Sequence, residues 1–422
     1  MLNFLFNGSR PFFANQHETW SEKWKWVFWI TLFFLFQWPA VAENLNLQGF
    51  GTIGLARSTT DKAEFVRDLS QPDGISDEWS PKIDSLLGIQ VSFQATPLID
   101  AVTQIVSRHH SDGTHHPELM WGFIRYDPNA NLNFRLGRLG SEFYMLSDSR
   151  LVGYSYVTVR PSNDYFGGLP FSYVDGVDAL ITLPLGNGLA RGKMMSGWTR
   201  EEVPSGDFQF NLDKSLLLGG YLDYQTGSWQ WRVGYSQLRF HNEIPALPLL
   251  EALKNTGLPS AQTAAENFSV VGKLVKYYSF GVVYDQGAFN TQIMLSRTSY
   301  QSAFFENSSA GYLLGSYRIG LFIPFMGLSW TKSAPKLAVT GLPSIYPLTL
   351  IDNALATGMR DSHSDQKTFT VGTRWDFHHN MALKAQWDVI HGKPDSIFPY
   401  RWEVPGWSGR MNVFSFTLDF IF

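Results

Sequence analysis

The sequence contains no cysteine among its 422 residues. Disulfides, thiolate nucleophiles and cysteine-ligated zinc are therefore excluded, and the chain suits export through an oxidising compartment. Charged residues are also few, at 17%, and the net charge is only −4. A strong basic field of the kind that binds nucleic acid is absent, so we expect no nucleic-acid partner.

Long apolar runs are scarce as well. Beyond the N-terminal segment no stretch reaches about 18 apolar residues, so no membrane-spanning helix is predicted there. The sequence is instead rich in aromatic residues, at 15%, and contains 37 glycines, while its mean hydropathy is only −0.12. Strands that face lipid and water alternately average to such a composition, which favours a transmembrane β-barrel over several soluble domains.

The N-terminal segment has the pattern of a targeting sequence. Two lysines precede an apolar run from Trp26 to Trp38, which ends at Ala40-Val41-Ala42, an A-x-A cleavage pattern. We expect a cleaved signal peptide over 1–42 and a barrel domain over 43–422. The alternative is an uncleaved anchor helix, but the apolar run is shorter than the about 20 residues that a span needs.

The remaining chain carries strand-like runs of about ten residues, many of which alternate with a period of two. In the last run, for example, Phe414, Phe416 and Leu418 oppose Ser415 and Thr417. About sixteen strands are predicted. They are 47–56, 85–94, 101–108, 117–126, 130–138, 172–184, 189–199, 215–225, 228–239, 273–285, 288–299, 311–322, 324–332, 367–377, 380–390 and 411–422.

The connections between these runs alternate between short and long. Short ones, such as 127–129, carry the Pro, Gly, Asn or Asp residues that tight turns need, and one is predicted around Pro324. One long connection should contain a short helix at Leu247–Asn255, where leucines recur at helical spacing. Short periplasmic turns alternating with long extracellular loops are typical of outer-membrane barrels.

Three places carry a resemblance to a known family. They are the run from Gly49 to Ala56, the run from Asn133 to Arg138 ahead of a long segment, and the final aromatic strand ending in Phe422. Together they resemble the Gram-negative general porins, a family of sixteen-stranded trimeric barrels. The Pro-Glu-Phe-Gly stretch of the enterobacterial constriction loop is not present, and the segment 164–168 is only loosely similar to it.

The resemblance implies a homotrimer in the outer membrane that lets small hydrophilic solutes diffuse passively, in contact with membrane lipid and lipopolysaccharide. It implies no cofactor, no metal and no catalytic residue. It also implies that the third long loop, about 139–171, folds into the lumen. The candidate constriction residues on this loop are Glu142, Ser147, Asp148, Ser149, Arg150 and Asp164.

Strand alternation predicts which charged residues line the lumen, because Arg or Lys on the lipid face at mid-membrane would cost about 2–4 kcal/mol. The pore-lining candidates by alternation are Arg135, Arg191, Lys193, Arg232, Arg318, Arg374 and Lys384, together with Asp376, Asp388 and Asp419. Arg138 is a further pore-lining candidate. The excess of bases suggests a mild anion preference. The alternative is that these are ordinary solvated lumen residues, some of them paired.

Several motifs resemble nucleotide-binding or metal sites, but the predicted structure around them is not the one that such sites need. The G-x-G-x-x-G pattern from Gly49 to Gly54 lies inside a predicted strand with no helix after it, so nucleotide binding is not expected. Four histidines at 109, 110, 115 and 116 match no defined metal spacing and are read as a hydrophilic loop. No G-x-S-x-G nucleophile motif occurs.

Other functions remain as alternatives to a general pore. A substrate-specific channel, for dicarboxylates or other small organic anions, sugars or aromatic compounds, is compatible with a lumen that contains Tyr and Arg. A barrel enzyme would need a nucleophile beside a loop histidine such as His241 or His363. An adhesin or scaffold would depend on its loops instead. A transporter with 22 strands and a plug domain would need a longer chain.

Overall fold

The computed structural model describes residues 44–142, 144–168, 172–205, 208–336, 339–360, 362–393, 396, 400–404 and 406–422. The predicted signal peptide, 1–42, lies outside these residues. The strands, in chain order, are β1 (Leu45–Ser58), β2 (Ala63–Phe65), β3 (Leu86–Thr96), β4 (Ile99–Arg108), β5 (Pro117–Asn129), β6 (Leu132–Gly140), β7 (Tyr173–Leu185), β8 (Gly188–Thr199), β9 (Glu202–Ser205), β10 (Phe208–Asn211), β11 (Ser215–Thr226), β12 (Trp229–Arg239), β13 (Leu274–Gln286), β14 (Phe289–Tyr300), β15 (Asn307–Tyr317), β16 (Phe322–Ala334), β17 (Asp365–His378), β18 (Met381–Gly392), β19 (Tyr400–Glu403) and β20 (Arg410–Ile421).

Sixteen of these strands form one closed barrel, and the short strands β2, β9, β10 and β19 lie outside it in two small sheets. Each barrel strand pairs with its neighbours along the chain, and the ring closes where β1 pairs antiparallel with β20, with Phe50 opposite Ile421. The prediction of a sixteen-stranded antiparallel barrel is therefore confirmed.

Tight turns close one end of the barrel. Gly186, Gly227 and Gly287 each occupy the first position of a two-residue turn, with φ of 56°, 52° and 63°. Hairpin turns of this length need such a positive φ to match the twist of the strands, and glycine adopts it without steric cost.

The turn predicted around Pro324 was wrong. The chain reverses at 318–321, where Gly320 has a φ of 60°, and Pro324 lies within β16 opposite Thr373. Glycine supplies the backbone conformation that the reversal needs, whereas the φ of proline is compatible with an extended strand.

The barrel wall is apolar outside and polar inside. Exposed side chains on the strands include Ile53, Leu136 and Leu222, whereas Thr52 and Asp223 on the opposite faces of their strands are buried. Such alternation is expected of strands between lipid and a polar lumen. Aromatic rings cluster near the tight turns, where Trp229 stacks on Trp231 and lies 4.6 Å from Tyr284. None of the described helices is long and apolar enough to cross a membrane.

The other end of the barrel carries the long loops and most of the helical structure. The helices are α1 (Asn163–Phe166), α2 (Leu247–Asn255), α3 (Pro259–Phe268) and α4 (Leu348–Arg360). Leu253 of α2, Phe268 of α3 and Leu355 of α4 are buried in one apolar cluster, which therefore joins two loops above the lumen wall. The helix predicted at Leu247–Asn255 is confirmed.

Candidate functional site

The third loop, residues 141–172, is anchored against the inner face of the wall by a buried arginine. Arg160 donates to both carboxylate oxygens of Asp84 at 2.9 and 2.6 Å, to Asp388 of β18 at 3.1 Å and to Ser415 of β20 at 2.6 Å. The two wall residues share the inward face with Gln386 and Thr417. Because these partners belong to different strands, Arg160 fixes the loop inside the barrel.

Bases on the wall hold the same loop through its backbone. Lys384 of β18 donates to the carbonyl oxygens of Gly153 at 2.7 Å and Thr158 at 2.8 Å, and Arg374 of β17 donates to the carbonyl of Tyr154 at 2.6 Å. Lys384 also pairs with a carboxylate of β20 at 3.0 Å, from Asp419. The predicted lumen residues Arg374, Lys384 and Asp419 therefore position the loop.

Asp164, a predicted constriction residue, faces the wall from α1. Its carboxylate accepts hydrogen bonds from Ser329 of β16 at 2.6 Å and from Gln366 of β17. Within the described part of the chain no lysine, arginine or histidine pairs with it. Burial raises the pKa of Asp164 to about 6, and the hydrogen bonds from Ser329 and Gln366 only partly oppose this effect.

The start of the third loop joins a compact ion-pair network. Arg135 of β6 pairs with Asp178 of β7 at 2.5 Å and with Glu142 at 2.9 Å, and Lys193 of β8 pairs with Glu142 at 2.5 Å and with Asp178 at 3.2 Å. Burial opposes ionisation of Glu142, but Lys193 and Arg135 outweigh it and lower the pKa of Glu142. The two bases are thus matched by two carboxylates.

The other predicted lumen bases occur in two triads in which one aspartate serves two arginines. The triads are Arg191–Asp223–Arg232 and Arg318–Asp376–Arg374. In each triad one arginine is nearly buried, whereas the side chains of Arg191 and Arg318 are 32% and 49% exposed. Each triad therefore carries one positive charge more than its carboxylate neutralises, presented by the more exposed arginine.

Arg138 occupies a different place from the other predicted pore-lining bases. It is three residues from Arg135, and in a strand with a two-residue repeat this spacing puts the two on opposite faces. Arg138 shares its face with Phe134 and Leu136, which are exposed on the outside of the barrel, and it pairs with Asp175 at 2.7 Å. The alternation of apolar and polar residues in β6 was therefore sufficient to predict that Arg138 faces outward.

Two cavities adjoin the third loop. One, of about 670 Å³, lies towards the tight turns and is lined by charged residues that include Arg125, Arg135, Glu142, Asp148 and Lys193; we call it the vestibule. The other, of about 100 Å³, lies between the loop and strands β14 to β18; we call it the side cavity. Asp148 faces the vestibule, whereas Arg150 borders the side cavity.

Several charged partners escaped prediction from the sequence. Asp178 and Asp223 share the inward faces of β7 and β11, so the alternation that predicted the lumen bases could also have found them. Arg160 and Asp84 lie in long loops outside any barrel strand. Their pairing depends on how two loops fold against each other, and no sequence spacing reports that arrangement.

Among the described residues, His109, His110 and His363 do not form a recognisable catalytic or metal site. His363 Nδ1 lies 2.8 Å from Glu306 and 3.2 Å from the Ser333 hydroxyl, so one ring nitrogen contacts both. A serine triad needs the acid and the nucleophile on different nitrogens. His109 pairs with Asp73 and His110 with Glu118, and no cluster among the described residues could hold a metal ion.

The fold defines a class, the closed antiparallel barrels of sixteen strands. No protein-family model and no curated protein matches the sequence. Among solved structures, the barrel is similar to Salmonella typhi OmpF in complex with daunomycin, with a TM-score of 0.54 and 10% identity over 90% of this chain and 97% of that chain. It is also similar to the outer membrane channel DcaP of Acinetobacter baumannii, with a TM-score of 0.52 and 12% identity over the same shares. A loop-deletion form of OmpT, an outer membrane protein of Vibrio cholerae, has a TM-score of 0.50 and 11% identity over 90% and 100%. At such identities the likeness shows the fold alone.

Proposed function

We propose that the protein is an outer-membrane porin, a water-filled channel through which small hydrophilic solutes and ions diffuse passively. The observation that supports this function best is the wall itself, which is apolar outside and carries ion-paired side chains inside. A lumen lined with charge is stable only where water or protein solvates it. The vestibule, at about 670 Å³, supplies such a space.

The lumen charges support a weak anion preference. Glu142 and Asp178 neutralise Arg135 and Lys193, so these bases add little field. Each arginine triad carries a surplus positive charge, through Arg191 on the wall and Arg318 in the turn at 318–321, whereas Arg125 is shared by two carboxylates, Asp100 and Asp127. Charged side chains on a pore wall bias its ion selectivity, and a small surplus should produce a small bias.

The proposal includes a cellular context. The signal peptide over 1–42 would be removed on export, and the barrel over 43–422 would sit in the outer membrane among lipid and lipopolysaccharide. Assembly as a homotrimer follows from the resemblance to general porins. We do not extend the proposal to an enzyme, because Ser333 and Glu306 share one nitrogen of His363.

Single-channel recording tests the proposal. The mature chain, residues 43–422, would be refolded in detergent and added to a planar bilayer under a salt gradient. Stepwise openings would support a porin, steps in groups of three would support the trimer, and the reversal potential would report the anion preference. A folded barrel that passes no current would contradict the channel and redirect attention to the loops.

A further inference from the structure

The side cavity has an apolar portion formed by both the loop and the wall. Leu146 and Phe166 of the third loop line it together with Tyr312 and Leu314 of β15. The ring of Phe166 lies 5.7 Å from that of Tyr312. The space of about 100 Å³ is two thirds of the 150 Å³ of an apolar cavity that holds benzene, so its size admits at most a single ring.

The charged groups at the cavity already have protein partners. Arg160 is shared between Asp84 and Asp388, and Arg150 donates to Ser172 and Tyr144. The cavity therefore offers neither a free cation for an anionic solute nor an unshared carboxylate for an amine. Transferring a charged solute into it would cost desolvation without a new ion pair, so the fitting ligand is uncharged.

Two wall hydroxyls of the cavity, those of Thr370 and Ser329, already donate their hydrogens to carboxylates. The hydroxyl hydrogen of Thr370 is donated to Asp388 at 2.6 Å, and that of Ser329 is donated to Asp164 at 2.6 Å. A hydroxyl has one hydrogen and two lone pairs, so both oxygens remain acceptors towards the cavity. A ligand that fits them must donate hydrogen bonds.

We propose that the side cavity binds a small uncharged aromatic compound that bears hydroxyl groups, of the phenol or catechol type. Its ring packs among Leu146, Phe166 and Leu314, and its hydroxyls donate to Thr370 and Ser329. The inference deepens the proposed function and rests on it, because such a solute reaches the cavity through the lumen. It makes the barrel a channel with a solute-specific subsite.

Calorimetric titration of the refolded protein in detergent with catechol tests the subsite directly. We expect saturable binding of catechol and at least tenfold weaker binding of benzoate at pH 7.5, because benzoate has the same ring with a charge. Thr370→Val and Ser329→Ala should each weaken catechol binding roughly three- to tenfold, the effect of one hydrogen bond.

The matched control is Thr291→Val, a substitution on the outward face of the neighbouring β14, where Phe289 and Ile293 are exposed. It should leave catechol binding unchanged. Equal binding of catechol and benzoate, or no difference between Thr370→Val and Thr291→Val, would overturn the subsite. Bilayer current is recorded separately, without catechol. A barrel that passes no current would refute the channel, whereas weak titration heats would refute only the subsite.

Discussion

The two cavities beside the third loop share one barrel wall but differ in chemistry. In the vestibule, bases and carboxylates from the wall and the loop meet in open networks, such as that of Arg135, Lys193 and Glu142. In the side cavity, the charged side chains form buried ion pairs such as Arg160 with Asp84, so aromatic rings and hydroxyls form the rest of the cavity lining. A uniform strand repeat can therefore support two solute environments when a loop divides the lumen.

The difference depends on where the loop meets the wall. Glu142 at its start reaches the bases of β6 and β8, whereas Arg160 and Asp164 in its second half reach the carboxylate and hydroxyls of β16 to β18. A change that releases the second half should merge the two environments. Changes at the first half should alter only the charge of the vestibule.

The largest effect is expected from Arg160→Met, which leaves Asp84 and Asp388 buried without their shared cation. Removing one partner of a buried ion pair costs about 3–5 kcal/mol. We expect a lower unfolding temperature in detergent and larger, noisier single-channel currents as the loop leaves the wall. Arg200→Met, which alters an arginine whose side chain is 63% exposed, is the control. Unchanged stability and current in Arg160→Met would contradict the anchoring role.

Asp164→Asn should change the pH dependence of loop docking. The pKa of Asp164 is raised from 3.8 to about 6 in the folded barrel, so its contribution to stability is fullest below pH 4 and is lost as pH rises through 6. The shift corresponds to at most about 3 kcal/mol. Asparagine stays neutral, so the variant should melt like the native protein at pH 4 and higher than it at pH 8. A variant that melts lower than the native protein at pH 8 would show that the ionised carboxylate is stabilising.

Glu142→Gln tests the charge of the vestibule without altering the side cavity. The substitution leaves Arg135 and Lys193 with Asp178 alone, so the vestibule gains positive charge while the side cavity keeps its partners. We expect the anion-to-cation permeability ratio, obtained from the reversal potential under a salt gradient, to rise several-fold. Catechol binding should be unaltered. Glu78→Gln, at an exposed position of the first loop, should leave both unchanged. A shift towards cations would refute this assignment of charge.

The smallest effect is expected from Arg318→Gln. Its guanidinium is half exposed and shares Asp376 with Arg374, so stability should change by less than about 1 kcal/mol. The anion preference should weaken slightly, and the weakening should diminish as salt screens the exposed charge. The control is Arg138→Gln. Because Arg138 lies on the outer face of β6, this substitution should leave ion selectivity unchanged.

The sequence was sufficient to predict the barrel and much of its inner face. The two-residue repeat is local, so the strands and the inward Arg135, Arg232 and Lys384 follow from it directly. The division of the lumen was not predictable in this way. It depends on pairings such as Arg160 with Asp388, which join residues 228 apart in the chain, and on a loop conformation that no local repeat encodes.

The wall bases Arg374 and Lys384 hold residues 153–158 of the third loop by their backbone. The rings of Tyr154 and Tyr156 also contact Arg374 and Lys384, but the hydrogen bonds from these bases end on carbonyl oxygens, which every residue possesses. Gly153 is constrained, because a Cβ atom there would lie 2.1 Å from the Asp419 carboxylate. Elsewhere in this segment mutation can exchange the side chains that meet the solute while the loop stays in place. Selection can thus alter the surface of the proposed channel one substitution at a time, without rebuilding the barrel.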